Sequence, residues 1–497
     1  MNHYGSRILS KTSAVSYKLF DREPHFYKNV FTLALPIALQ SLITIAVNMM
    51  DNVMVGNVNE ESLSAASLAN SFISIYQIFC MGLGMGASVL ISRYYGMKSS
   101  DATHHTEANE KNIMPDSPED IRNDAARALK QTVALMLRLT LILASVFAIL
   151  TACIPGWIMK TYTDEETIIE LGMTYFRWSV ITYFFQGASL TSTIALRSVR
   201  QVRLPLYVSI GAFFVNVLSN YTFIFGHFGA PRMEIAGAAL GTLIARFFEF
   251  SLILGYLFFY DKEINFRIKD LFMDTKSLLG EYIRICIPVL ISDGILAFGN
   301  NAVSMVIGHL GKTFVAANSI TGDTQRLSTV VVQGVSQAGA IVTSQTLGTG
   351  KKEQTMKQGY LFFGLGLGLG LVSAFFITFF KEPIISCYGK VSAETHDIAV
   401  QLMLAISLII IFQATNSIMT KGVLRGGGDA KMLMLTDNIF LWVISIPLGL
   451  LAGFVLHLSP FWIYVCLKSD QIIKTFWSYL RLKGGKWIKK ISTGLKE

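Results

Sequence analysis

The chain runs to 497 residues, of which 52% are hydrophobic and only 15% charged, with a formal net charge of +9. A soluble protein carries about 25% charged residues, and the apolar residues here come in long runs, so a globule in water is excluded and a lipid solvent is implied. The basic excess is scattered over short segments between those runs, without the single basic face that nucleic-acid binding calls for.

The first stretch, 1–29, holds Arg7, Lys11, Lys18, Arg22 and Lys28 ahead of an apolar run that starts near Val30. It reads as a cytoplasmic tail without a cleavable signal. A helix needs about 20 apolar residues to cross the hydrocarbon. Apolar runs set against polar breaks give spans at about 30–56, 62–92, 131–155, 168–195, 205–226, 235–260, 282–308, 314–346, 358–380, 395–420, 432–456 and 459–480. The runs at 62–92 and 314–346 exceed one bilayer thickness and are expected to tilt or project. Residues 99–124 read as a polar cytoplasmic loop and 261–281 as a cytoplasmic linker. The basic segment 481–497, with Lys483, Lys486, Trp487, Lys489 and Lys490, reads as a tail lying on an anionic inner leaflet.

Charge tests this layout. The outer loops hold only Lys160, Arg232, Lys312, Lys381 and Lys390, and Arg138, Arg177, Arg246 and Arg326 fall within spans. The other basic residues are assigned to the inner side, as the positive-inside rule demands when both termini are cytoplasmic. The five cysteines (Cys80, Cys153, Cys286, Cys387 and Cys466) stand singly, so neither a disulfide framework nor a metal site is expected.

Residues 36–96 and 288–348 align without a gap. Pro36 falls on Pro288, Asn48 on Asn300, Gly56 on Gly308, Ser67 on Ser319, Gly82 on Gly334 and Gly96 on Gly348. A weaker match pairs Phe185-Gln186 with Phe412-Gln413 and Leu196-Arg197 with Leu424-Arg425. Each half, 30–260 and 282–480, holds an even number of spans, so the copies share one orientation about a pseudo-twofold along the membrane normal, with a cleft between them. The expected fold is an all-α membrane protein of twelve transmembrane helices in two six-helix lobes.

Asp51 is the leading candidate for ion coupling. An ionised Asp at the centre of a spanning helix costs about 2.5–3.5 kcal/mol, so such an acid marks a working site. Asn48, three residues back, shares its helical face and is placed to hydrogen-bond it. Asp293 is the second acid, but it stands much closer to its proline than Asp51 does to Pro36. At 1.5 Å per residue the two acids differ by about 15 Å in depth, so the halves are chemically unequal. Asn216 and Asn220, one turn apart, present two amides that suit a polar pocket around Asp51, or equally an interhelical tie. Arg246 with Glu249 and Asp323 with Arg326 read as structural pairs neutralising each other in the membrane.

These segments resemble the multidrug and toxic compound extrusion (MATE) family. Leu35-Pro36-Ile37 through Met49-Met50-Asp51-Asn52-Val53-Met54-Val55-Gly56 is similar to its first helix with the intramembrane Asp. Pro288-Val289-Leu290-Ile291-Ser292-Asp293 resembles its seventh helix, and the stretch from Asn216 through Asn220-Tyr221 to Gly226 its fifth. Leu424-Arg425-Gly426-Gly427-Gly428-Asp429 resembles the loop before its eleventh. The resemblance implies an antiporter in the cell membrane that exports small amphipathic organic compounds, often cations, in exchange for H⁺ or Na⁺. It implies no cofactor beyond that ion, no nucleic acid and no obligate protein partner. Some members carry a further acid on helix ten, where this chain has Phe412-Gln413-Ala414-Thr415-Asn416-Ser417-Ile418, so the sodium site built on that acid lacks its ligand.

A lipid-linked oligosaccharide flippase of similar architecture is the alternative, but its cleft would need cations to meet pyrophosphate. No nucleotide-binding motif, selectivity-filter repeat or His/carboxylate metal spacing points to a primary pump, a channel or an enzyme.

Overall fold

Long apolar stretches can satisfy their backbone groups in lipid only as helices, and the computed structural model has helices joined by turns and loops, with no strand, over the residues it describes, 24–99, 118–386 and 392–489. Its twelve spanning helices are α1 (Pro24–Gly56), α2 (Glu60–Lys98), α3 (Pro118–Cys153), α4 (Glu166–Ser179 and Thr182–Ser198), α5 (Arg203–Phe225), α6 (Ile235–Tyr260), α7 (Lys276–His309), α8 (Lys312–Gly348), α9 (Lys352–Ser386), α10 (Ala393–Leu424), α11 (Ala430–Val455) and α12 (Pro460–Leu467 and Ser469–Lys483). Asn59 caps α2 by accepting from the Ser62 amide at 2.6 Å, with Glu60 and Glu61 in the first turn complementing the helix dipole. Pro447 interrupts α11, which relaxes into π turns on either side of it.

Two segments differ from the sequence reading. The polar loop ends sooner, because α3 starts at Pro118 with Glu119 and Asp120 in its first turn. α3 holds the 261–281 segment: Lys130, in its extra turns, pairs with Asp270 at 3.2 Å, and Arg138, further along, donates to the carbonyls of Leu271 and Met273. The basic tail, as far as Lys489, lies on the protein and not on lipid. Trp487 is fully buried against Gly427 and Gly359, and Arg481 grips Asp429 at 2.8 and 3.1 Å. The amino-terminal tail before Pro24, most of the polar loop, Cys387, Lys390 and the tail beyond Lys489 fall outside the described residues.

The sequence repeat is realised as packing. Gly82 of α2 sits against Leu290 of α7, and Gly334 of α8 against Ala38 of α1, which are the repeat mates of that first pair. Gly96 presses on the Gln345 carbonyl and Gly348 on the Arg93 carbonyl, again mates, so α2 and α8 cross on the pseudo-twofold itself. A Cβ at either glycine would collide with backbone. All these contacts lie toward the end where α1 begins and α12 finishes, which we call the basic end.

Burial then shows where the cleft opens. Near the basic end both apolar cores draw on both lobes: one joins α2, α3, α4 and α6 to Tyr282, Ile285 and Cys286 of α7, the other joins Phe26 to Ile37 of α1 to α8, α9 and α10. In the far half each core belongs to one lobe alone. The lobes are therefore sealed at the basic end and parted at the other. Ser64, Ser67, Ser71 and Ser74 of α2 and Ser319, Asp323, Arg326 and Gln333 of α8 are exposed, and polar stripes of this kind suit a wet cleft better than lipid.

Candidate functional site

The N-lobe site is built where α1 meets α5. The Asp51 carboxylate accepts a hydrogen bond from Asn220 Nδ2 at 2.6 Å, and Asn220 Nδ2 lies 3.4 Å from Asn216 Oδ1. Both amides are buried. Their helix is held close to α6 because Gly241 has no side chain, and Asn220 Oδ1 nests where its Cβ would be. Arg246 of α6 is near enough to act on the carboxylate electrostatically, but its guanidinium is committed to Glu249 at 2.8 Å. Tyr175 of α4, donating to Asn70 at 3.3 Å, closes the other side.

Four other acids of the spanning helices are paired with cations, while Glu281 of α7 accepts from the Tyr94 hydroxyl at 3.3 Å. Asp293 meets Arg425 at 3.3 Å, Asp437 and Asp470 meet Lys474 at 3.3 and 3.0 Å, and Glu249 meets Arg246. Asp51 has amide donors and, among the described residues, no ion pair. An acid so placed is stable only if it takes up a proton or a cation.

Several sequence expectations are corrected here. Asn48 is exposed and makes no side-chain hydrogen bond among the described residues, because the Asp51 carboxylate turns across to α5 and away from its own helical face. Asp293 is not a second free acid: Arg425, from the loop before α11, sits on it. Asp323 and Arg326 form the expected i,i+3 pair, but a loose and exposed one. They are 3.7 Å apart with side chains 57% and 79% exposed. Arg246 with Glu249 is the tight pair that i,i+3 spacing predicts.

Sequence reasoning missed the C-lobe charges. Lys468 and Lys474, which the charge count groups with the inner-side basic residues, lie inside α12. Lys474, Asp437 and Asp470 are almost fully buried together. The signal was available, since both lysines fall inside the span read at 459–480.

The MatE family model matches residues 36–107, 124–222 and 288–451. The chain belongs to the MATE family. Its relatives include a probable multidrug resistance protein NorM of Thermotoga maritima, 25% identical over 474 residues and 94% of each chain. Another is the multidrug resistance protein PmpM of Pseudomonas aeruginosa, 24% identical over 86% of this chain and 84% of that one. Among solved structures, a mutant of the Vibrio cholerae MATE transporter VcmN matches with a TM-score of 0.80 at 14% identity, covering 95% of this chain and 99% of that. An outward-facing multidrug resistance MATE transporter matches at 0.79 and 16%, covering 93% and 97%. The twelve-helix, two-lobe architecture is thus the MATE fold.

In a MATE protein with this geometry, Gly241 is a positioning residue. Gly241→Val should push Asn220 off Asp51 and remove a hydrogen bond to a charged group, worth about 1.5–3 kcal/mol. Efflux should fall by about tenfold or more while the protein still purifies as a folded monodisperse species. Efflux at the wild-type rate would mean that Asn220 does not serve the acid.

Proposed function

We propose that this protein is an H⁺-coupled antiporter of the cell membrane that exports small amphipathic organic compounds, cations among them, by alternating access. The observation that carries the reading is a carboxylate, Asp51, held in a spanning helix by an amide donor without an ion-pair partner among the described residues. The basic end is the cytoplasmic one by the positive-inside rule, so both termini are cytoplasmic and the cleft faces outward. Protonation of Asp51 from outside weakens the hold on a cationic compound and loosens the α1–α5 contact. Reopening inward returns the proton and restores affinity. One charge moving through 100 mV supplies about 2.3 kcal/mol, enough to hold a gradient of about fiftyfold. The names of the relatives, multidrug resistance proteins, agree with this substrate class. No cofactor beyond the coupling ion and no protein partner is required.

The test is dye efflux from proteoliposomes under an imposed gradient. A pH gradient should drive ethidium transport and a Na⁺ gradient alone should not. Transport driven only by Na⁺ would overturn proton coupling. A protein that moves no dye under either gradient would point to the flippase instead.

A further inference from the structure

At the sealed end two polar ties between the lobes occupy related positions across the pseudo-twofold, and they are built differently. The Ser198 carbonyl accepts from Ser92 Oγ of its own lobe at 3.2 Å and from Gln345 Nε2 of α8, in the other lobe, at 2.9 Å. On the C-lobe side the Gly426 carbonyl accepts from Ser344 Oγ at 2.8 Å. Ser92 and Ser344 are repeat mates, and Ser198 and Gly426 follow the matched Leu196-Arg197 and Leu424-Arg425. The mate of Gln345 is Arg93, which symmetry would place on the Gly426 carbonyl. It goes elsewhere. Its Nη1 and Nη2 both donate to the carbonyl of Lys489, in the tail after α12, at 3.2 Å each.

Glycine accounts for the difference. Val199, the mate of Gly427, buries a side chain of its own. Gly427 leaves a hollow instead, and the Trp487 indole fills it, where a Cβ on Gly427 would collide with the ring. The Lys489 amide then donates to the Gly427 carbonyl at 3.0 Å, and Arg481 and Lys489 both reach Asp429 beside the same turn. Residues 484–489 are thus seated on the C-lobe and meet the N-lobe through Arg93. Glu281 of α7 is near enough to act on Arg93 electrostatically, but no ion pair joins them among the described residues. A buried guanidinium needs acceptors for its N–H groups, and the Lys489 carbonyl serves two of them. Parting the lobes at this end would strip Arg93 of that acceptor.

We propose that residues 484–489 are a strap that latches the seal: held on the C-lobe by Trp487, they present the Lys489 carbonyl to Arg93 and so favour the state closed at the basic end. Arg93 and Trp487 are then positioning residues of the transport cycle. The inference concerns the seal and neither the coupling ion nor the cargo, so its test uses no transport, and its failure would leave the efflux reading untouched.

Cys286 reads the seal, because its thiol is buried between α7 of one lobe and Leu83 and Gly86 of α2 in the other. In purified full-length protein with the other four cysteines replaced by serine, its labelling by N-ethylmaleimide tracks the population of the opened state. Trp487→Ala should label about tenfold faster than this parent, and Trp487→Phe at close to the parent rate. Lys489 is exposed, so Lys489→Pro removes the N–H that meets Gly427 without touching the core, and it should label severalfold faster. Lys489→Ala keeps that N–H and should match the parent. Arg93→Lys keeps a cation beside Glu281 but gives up the paired donation, and should behave as Lys489→Pro does. Parent-rate labelling in Trp487→Ala or in Lys489→Pro would overturn the proposal. Faster labelling in Arg93→Lys alone would place the hold in Glu281, and equal rises in Lys489→Ala and Lys489→Pro would place it in the Asp429 ion pair; either would overturn it too. Should Trp487→Ala fail to fold, the two Lys489 variants decide.

Discussion

Cells expressing Asp51→Asn should accumulate ethidium to the level of cells carrying no transporter, an efflux rate at least about a hundredfold below wild type. The substitution keeps the side chain's volume and lets the Asn220 contact persist as a neutral amide pair, so the protein should reach the membrane in normal amount. What it removes is the gain and loss of charge. An Asn cannot be answered by a proton on one side of the membrane and released on the other, so binding and driving force come uncoupled. The paired acids provide the contrast. Asp293→Asn removes one partner of an ion pair with Arg425 and should act on stability and loop position, with efflux per folded molecule retained. If Asp51→Asn cells export the dye as well as wild type, the acid has no part in coupling, whatever its surroundings.

The second large effect belongs to the sealed end. Gly96 and Gly348 allow α2 and α8 to cross backbone to backbone on the pseudo-twofold, where each presses on a carbonyl of the other helix. Gly96→Val places a branched side chain into the Gln345 carbonyl. Overpacking of this kind costs about 1–3 kcal/mol when helices shift to absorb it, and the available shift is to part the lobes. The state sealed at the basic end should lose population and efflux should fall by about tenfold or more. Cys286 reports the change, because its thiol is buried between α7 and the Leu83 carbonyl of α2, where no reagent reaches while the lobes touch. In a background with Cys80, Cys153, Cys387 and Cys466 replaced by Ser, Cys286 should be labelled by a maleimide several times faster in Gly96→Val than in Gly96. Unchanged labelling together with unchanged efflux would mean that this crossing does not seal the cleft.

Architecture was legible in the sequence because lipid leaves few choices. A run of apolar residues in hydrocarbon becomes a helix, and a gapless repeat with matching glycines fixes which helices are mates. The Gly82–Leu290 and Gly334–Ala38 contacts bear that repeat out residue by residue. Part of the N-lobe site was legible for a related reason: Asp51, Asn216 and Asn220 are polar residues in apolar helices, and the i,i+4 spacing of the amides puts them on one face. Periodicity along one helix cannot say which neighbour a side chain turns to. Asn48 shares a face with Asp51 and yet the carboxylate reaches across to α5. The pairing of Asp293 with Arg425 and the triad of Lys474 with Asp437 and Asp470 join segments far apart in sequence, so no local pattern announces them. Asp323 and Arg326 show the complementary gap: spacing finds the pair, but not that both side chains are exposed. Lys468 and Lys474 were passed over because counting charges by side assumes that a lysine near a helix end lies in water.

The account's central claim is that a proton and a substrate exchange at one N-lobe carboxylate. The direct measurement is proton release on substrate addition, made with purified protein in detergent and weak buffer near neutral pH. Wild type should release up to one proton per transporter as ethidium saturates it, and Asp51→Asn should release none while keeping its fold. Equal release from both proteins, or saturable binding by wild type with no proton released, would contradict the account.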